Sequence, residues 1–125
     1  MCGIFALLNN NETFSHDYIV EQFNQSKNRG PDNSHINTMN NNFIGFHRLS
    51  INGLSEDSNQ PFYINNILLI CNGEIYNYKE LFNNITYKPT SNSDCEIIIY
   101  LYMLYGIEYT LNLLDGVFAF VLVDY

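Results

Sequence analysis

The chain has 125 residues, 46% hydrophobic and 15% aromatic, which is enough for one domain with a core of its own. Thirteen acidic side chains against five basic ones give a formal net charge of -8, so a surface that tracks phosphates is excluded and no nucleic-acid partner is expected. No basic start precedes an apolar run and no uncharged stretch approaches the ~20 residues that span a bilayer, so neither a secretion signal nor a membrane segment is expected, and the cytoplasm is the expected location.

In chain order, residues 4–8 form a short apolar run that predicts a buried strand, with Cys2 at its entrance. Ser15 is placed to cap a helix carrying Tyr18, Ile19, Val20 and Phe23, and Arg29-Gly30-Pro31-Asp32 is placed to stop it. Residues 43–51 read as extended and lead into a polar loop through Gln60-Pro61. The run 67–71 is continuously apolar, and Asn72-Gly73 behind it is a strong turn signal. Residues 78–84 predict a short helix. Ser93-Asp94-Cys95-Glu96 has capping-box spacing and opens a helix over 97–105 that Gly106 can close. Asp115-Gly116 then turns the chain into a last buried strand over 117–123. Asparagine clusters such as Asn40-Asn41-Asn42 lie between these segments, where turns are expected. The class is mixed α+β, with helices packed on stacked sheets.

Cys2, Cys71 and Cys95 are an odd count without C-x-x-C spacing, which predicts reduced thiols and neither a disulfide framework nor a zinc knuckle. No metal is expected, since nothing in the spacing supports a scattered site from these cysteines with His47. Cys2 has a further property. Removal of Met1 makes it the N-terminal residue, and an α-amino group with a pKa of roughly 7.7–8.0 is partly unprotonated near neutrality and can serve its own thiol as a base. The plain alternative is a small apolar residue opening a strand. The internal motifs also have plain readings: Arg29-Gly30-Pro31-Asp32 as a helix stop, Asn72-Gly73 as a hairpin turn, and Ser93-Asp94-Cys95-Glu96 as a cap.

Taken together and in order, Met1-Cys2-Gly3-Ile4-Phe5, Arg29-Gly30-Pro31-Asp32, His47-Arg48-Leu49-Ser50-Ile51, Asn72-Gly73-Glu74-Ile75-Tyr76-Asn77, Ser93-Asp94-Cys95-Glu96 and Asp115-Gly116-Val117-Phe118-Ala119-Phe120 resemble the N-terminal class II glutamine amidotransferase domain of glutamine-hydrolysing asparagine synthetase. The resemblance implies an N-terminal nucleophile fold, an αββα sandwich of stacked, mostly antiparallel sheets. It implies that Cys2 attacks the side-chain amide of glutamine, giving a γ-glutamyl thioester and ammonia, and that water then releases glutamate. It places the oxyanion donors at the Asn72 side chain and the Gly73 N–H. It places the α-carboxylate of glutamine on Arg48, its α-ammonium on Asp94 and Glu74, and the remaining pocket on Leu49, Ser50, Ile51 and Asn52. Arg48 suits a carboxylate because a guanidinium can bind it bidentately. The chain's other arginine, Arg29, is expected to fix the segment around Cys2.

The family's domain continues past the last predicted strand, and a synthetase domain with a loop for ATP pyrophosphate follows it. By this reading residues 1–125 are a C-terminally incomplete amidotransferase domain with no cofactor of its own. ATP and magnesium belong to the missing synthetase domain, and asparagine synthesis would need a separate synthetase subunit. Three functions stay open on the sequence: a glutaminase module, a glutamine-binding module without turnover, and an inactive fragment of a longer gene.

Overall fold

The computed structural model describes residues 2–51 and 55–125. The elements run β1 (Gly3–Leu7), α1 (His16–Asn24), β2 (Asn33–Met39), β3 (Asn42–Arg48), β4 (Phe62–Ile64), β5 (Ile67–Ile75), α2 (Tyr78–Asn83), α3 (Ile97–Leu113) and β6 (Gly116–Asp124). Short 3₁₀ turns lie at Lys27–Arg29, Glu56–Ser58 and Asp94–Glu96. The strands make two small antiparallel sheets, ordered β1-β3-β2 and β4-β5-β6.

Side chains alternate across each strand, and this sorts the apolar residues into layers. Ile44 and Phe46 of β3 meet Leu68 and Ile70 of β5 in one cluster, joined by Ile4, Val121 and Val123. On the opposite side of the second sheet, Leu69, Cys71 and Ile75 pack beneath the fully buried Ile97, Ile98 and Ile99 of α3. On the opposite side of the first sheet, Phe23 of α1 lies edge-on to Phe5 at 5.9 Å and stacks on His47 at 3.9 Å. The buried His47 ring also bonds Ser34 Oγ through Nδ1 and the Phe23 carbonyl through Nε2. Both ring nitrogens therefore tie β3 to its neighbours, which leaves the ring no lone pair for a metal.

Several sequence expectations are met. Ser15 caps α1 by accepting from the Tyr18 N–H, and Asn40 and Asn41 take the left-handed backbone of a β2–β3 hairpin turn, φ 49° and 62°. Five points need correction. Asn72-Gly73 is no turn: β5 runs through both, pairing Asn72 with Ala119 and Gly73 with Phe118. β2, absent from the sequence reading, pairs with β3 from Asn33↔Arg48 to Met39↔Asn42; its polar residues suit an edge strand and give no apolar alternation to read. α1 ends at Asn24, before the Arg29-Gly30-Pro31-Asp32 stop, and β3 ends at Arg48 rather than Ile51. Finally, Ser93 accepts from the Cys95 N–H as a cap should, but Glu96 does not close the box. Its carboxylate instead gathers the N–H and hydroxyl groups of Thr90 and Ser91 and the Tyr100 hydroxyl, at 2.6–2.9 Å.

Gly106 interrupts α3 with φ 77° and ψ 171°, so the helix closes where the sequence allowed and a second short segment follows. Asn77 then joins the two ends of this excursion. Its amide donates to the Leu113 carbonyl at 2.8 Å and accepts from the Asp115 N–H at 3.0 Å.

Candidate active site

Where the two sheets end side by side they enclose a cleft of about 250 Å³. The first sheet contributes Cys2, Arg48, Leu49 and Ile51; the second contributes Asn72, Gly73 and Glu74, with Ser93, Asp94 and Cys95 from the turn before α3. Residues more than 90 positions apart are brought together because β1 pairs with β3 and β5 lies against both.

Cys2 stands just ahead of β1 and is half-buried. Its Sγ lies 3.4 Å from the Leu49 N–H, which donates to it, and 3.6 Å from the Leu49 carbonyl. The Cys2 carbonyl accepts from Arg29 Nε at 3.1 Å, so Arg29 does hold this segment. The other two cysteines are buried, and Cys95 is no nucleophile: a hydrogen bond with the Cys71 thiol and burial push its pKa far up.

Arg48 is 6% exposed and is the single cation lining the cleft among the described residues. Its Nη1 donates to Asn59 Oδ1 at 2.6 Å and to the Ser55 carbonyl at 3.2 Å, so the loop after β3 fixes the guanidinium. Asp94, also 6% exposed, accepts from the Ile75 N–H at 2.6 Å through Oδ2. This bond ties the turn before α3 to the end of β5. Glu74 and Gly73 are exposed at the mouth, beside Ile51, Tyr76 and Val117, which form an apolar rim.

Two glycines of the motifs are explained by close approach. A Cβ on Gly30 would overlap the His47 carbonyl, and one on Gly73 would overlap the Val117 carbonyl and Phe118 Cα. Ser50, expected in the pocket, is not among the lining residues; its N–H donates to Asp32 Oδ2 at 2.7 Å. Asn52 lies outside the described residues.

Sequence reasoning missed the groups that hold this site. Gln60 is buried and pairs with the Cys71 backbone as an added strand would, accepting from its N–H at 2.6 Å and donating to its carbonyl at 3.1 Å. Asp32 accepts from the Ser50 N–H, and Asn59 from the Arg48 guanidinium. Asp32 closes a motif whose plain sequence reading is a helix stop, and the only sequence signal of Gln60 and Asn59 is a polar side chain in a loop, which does not distinguish an anchor from a solvated residue. Among the described residues no helix is long and apolar enough to cross a membrane, and no cluster of three or more His, Cys, Asp or Glu side chains could hold a metal.

A thiol at the second position, a buried arginine and a buried carboxylate lie around one small cleft on paired antiparallel sheets. The family profile described as "Glutamine amidotransferase domain" matches residues 1–125, and the chain belongs to that family. It is similar to the N-terminal region of asparagine synthetases: it is 38% identical to asparagine synthetase [glutamine-hydrolyzing] 2 of Oryza sativa subsp. japonica, with 99% of this chain and 22% of that protein covered. It is 39% identical to asparagine synthetase [glutamine-hydrolyzing] of Gallus gallus and 38% identical to the probable enzyme of Acanthamoeba polyphaga mimivirus, covering 23% and 24% of them. The chain thus spans less than a quarter of the length of these relatives, which carry the domain within a longer polypeptide.

Proposed function

We propose that this chain hydrolyses glutamine to glutamate and ammonia through an N-terminal Cys2 thioester, on a four-layer N-terminal nucleophile sandwich. The observation that carries the reading is the meeting of Cys2, Arg48, Asn72, Gly73 and Asp94 around one cleft.

With Met1 removed, the free α-amine of Cys2 takes the thiol proton and the thiolate attacks the amide carbon of the glutamine side chain. The oxyanion that develops is received by Asn72 Nδ2 and the Gly73 N–H. Collapse of the tetrahedral intermediate breaks the C–N bond, and the α-ammonium returns its proton to the departing ammonia. Water then attacks the thioester, releasing glutamate and restoring the thiol. Arg48 takes the α-carboxylate of glutamine, and Asp94 and Glu74 take its α-ammonium. Opposite charges on the two walls thereby set the direction in which the amino acid lies. Leu49 and Ile51 line the same pocket, and we assign Ser50 and Asn52 to glutamine binding on the family resemblance alone.

The ammonia is destined for ATP-dependent asparagine synthesis on a separate synthetase partner in the cytoplasm, where ATP and magnesium act. The relatives named for hydrolysing glutamine support the glutamine step of this reading, and they carry the domain within a longer chain.

Intact mass before and after exposure to an electrophilic diazoketone analogue of glutamine tests it. We expect loss of Met1 and a single adduct on Cys2, blocked by glutamine and absent from Cys2→Ala, together with glutamate release. Glutamine binding with neither adduct nor glutamate would make the chain a binding module instead.

A further inference from the structure

We infer that Ser58 is a specificity residue of this cleft, donating its hydroxyl to the α-carboxylate of the bound amino acid; the inference rests on the amidotransferase reading above. Ser58 ends the 3₁₀ turn Glu56–Ser58 and lines the cleft, yet it is only 4% exposed. Its Oγ is shielded from solvent and has no hydrogen-bond partner among the described residues. A buried hydroxyl without a partner is costly, and such groups in native structures commonly mark a place where a ligand or water completes the set.

The neighbourhood indicates which ligand group would do so. The turn that carries Ser58 is fastened to Arg48 on both flanks: Nη1 of Arg48 donates to the carbonyl of Ser55 before it and to Oδ1 of Asn59 after it. Ser58 therefore sits in the same loop that fixes Arg48, the one cation lining the cleft among the described residues. A group drawn to that cation is an anion, and an anion lacks protons of its own, so the neighbour that completes Ser58 must accept while Ser58 donates. A carboxylate meets both demands, with one oxygen toward the guanidinium and another toward the hydroxyl. The cleft would then select free amino acids over their amides or esters by a neutral donor as well as by charge.

The test is steady-state glutamine hydrolysis by the unaltered protein, Ser58→Ala and Ser58→Thr, with thermal melts to verify folding. We expect Ser58→Ala to raise KM for glutamine about tenfold with kcat within about twofold, as loss of a hydrogen bond to a charged group implies. Ser58→Thr, which keeps the hydroxyl, should restore KM. The preference for glutamine over its α-amide should shrink by the same factor in Ser58→Ala, an effect that a merely structural role would not produce. An unchanged KM and an unchanged preference in folded Ser58→Ala would overturn the assignment while leaving the amidotransferase reading intact. Failure of the unaltered protein to bind or hydrolyse glutamine would overturn that reading and the Ser58 assignment with it.

Discussion

On the cleft wall built from the first sheet, the bonds beside Cys2 and at Ser50 face solvent, Arg29 to the Cys2 carbonyl and Asp32 to the Ser50 N–H, with Arg48 the buried exception. The wall built from the second sheet is held from inside, by Gln60 on Cys71, Asp94 on Ile75 and Glu96 on the Thr90–Ser91 backbone. Water can replace an exposed bond, whereas a buried donor or acceptor that loses its partner bears the whole desolvation penalty. Cys2, the proposed nucleophile, therefore stands on a segment that can adjust, and Asn72 and Asp94, proposed for the oxyanion and the ammonium, stand on the wall that cannot. That division suits a reaction in which the thiol must move onto carbon while the receiving donors stay in place.

Removing the donor on the rigid wall should have the largest effect. We predict that Asn72→Ala lowers kcat for glutamine hydrolysis by about 10²–10³-fold while its melting temperature stays close to that of the unaltered protein; a loss below about tenfold would remove Asn72 from the oxyanion site. Next comes the deepest anchor. Glu96 is fully buried with five donors around it, so Glu96→Ala should cost about 3–5 kcal/mol in urea unfolding, since it leaves several buried neutral donors without an acceptor at about 1–3 kcal/mol each.

The same carboxylate gives a pH signature. Burial alone would raise its pKa, but the bonds from Ser91, Thr90 and Tyr100 outweigh burial and hold it below the ordinary 4.5. The folded state therefore binds fewer protons at Glu96 than the unfolded state does. Its contribution is complete above about pH 4.5 and is lost as pH falls through the folded value. Glu96→Gln should flatten the acid limb of the stability profile; an unchanged limb would assign that limb to other carboxylates.

Smaller effects sharpen the contrast between the walls. Gln60→Ala should cost about 1–3 kcal/mol because two buried backbone groups lose partners. Asp32→Ala, on the solvent-facing wall, should cost about 1 kcal/mol or less and act mainly on KM. Equal losses from the two would dissolve the distinction. Replacing Asn40 and Asn41 by Ser-Gly, at a hairpin remote from the cleft, should stay within about 0.5 kcal/mol and leave activity unchanged.

What was legible in the sequence follows from the same physics. The run 67–71 and the 97–105 helix announce themselves because each has a buried side, and Ser15 announces α1 because capping is local chemistry. The last strand is marked by its apolar run although none of its residues is fully buried, contrary to the buried strand expected. Asn72-Gly73 misled because turn propensity is local while the strand through it is imposed by pairing with β6. The Ser93–Glu96 spacing misled in part because Glu96 found five better donors than the one N–H a capping box offers. Cys2, Arg48, Asn72, Gly73, Glu74 and Asp94 could be singled out from their motifs, and the structure gathers them around one cleft. Asn59 and Gln60 could not, since the partner of a loop amide is decided only when distant strands close over it, and Asp32 is visible in its motif without its Ser50 partner.

The Asn77 clasp bears on how the chain finds its register. Some forty residues separate β5 from β6, and both bonds of the clasp close that gap at one end, with Tyr76 N–H adding a third to the Asp115 carbonyl at 2.7 Å. A slip of one residue would turn Phe118, Phe120 and Leu122 away from α3 and bring Val117, Ala119 and Val121 under it. By pinning Asp115 before the strand begins, a single amide side chain fixes which phenylalanines face inward and where Gly73 meets its neighbour across the sheet. Asn77→Ala should therefore show itself first as slow, heterogeneous refolding, with the native state reached late rather than lost.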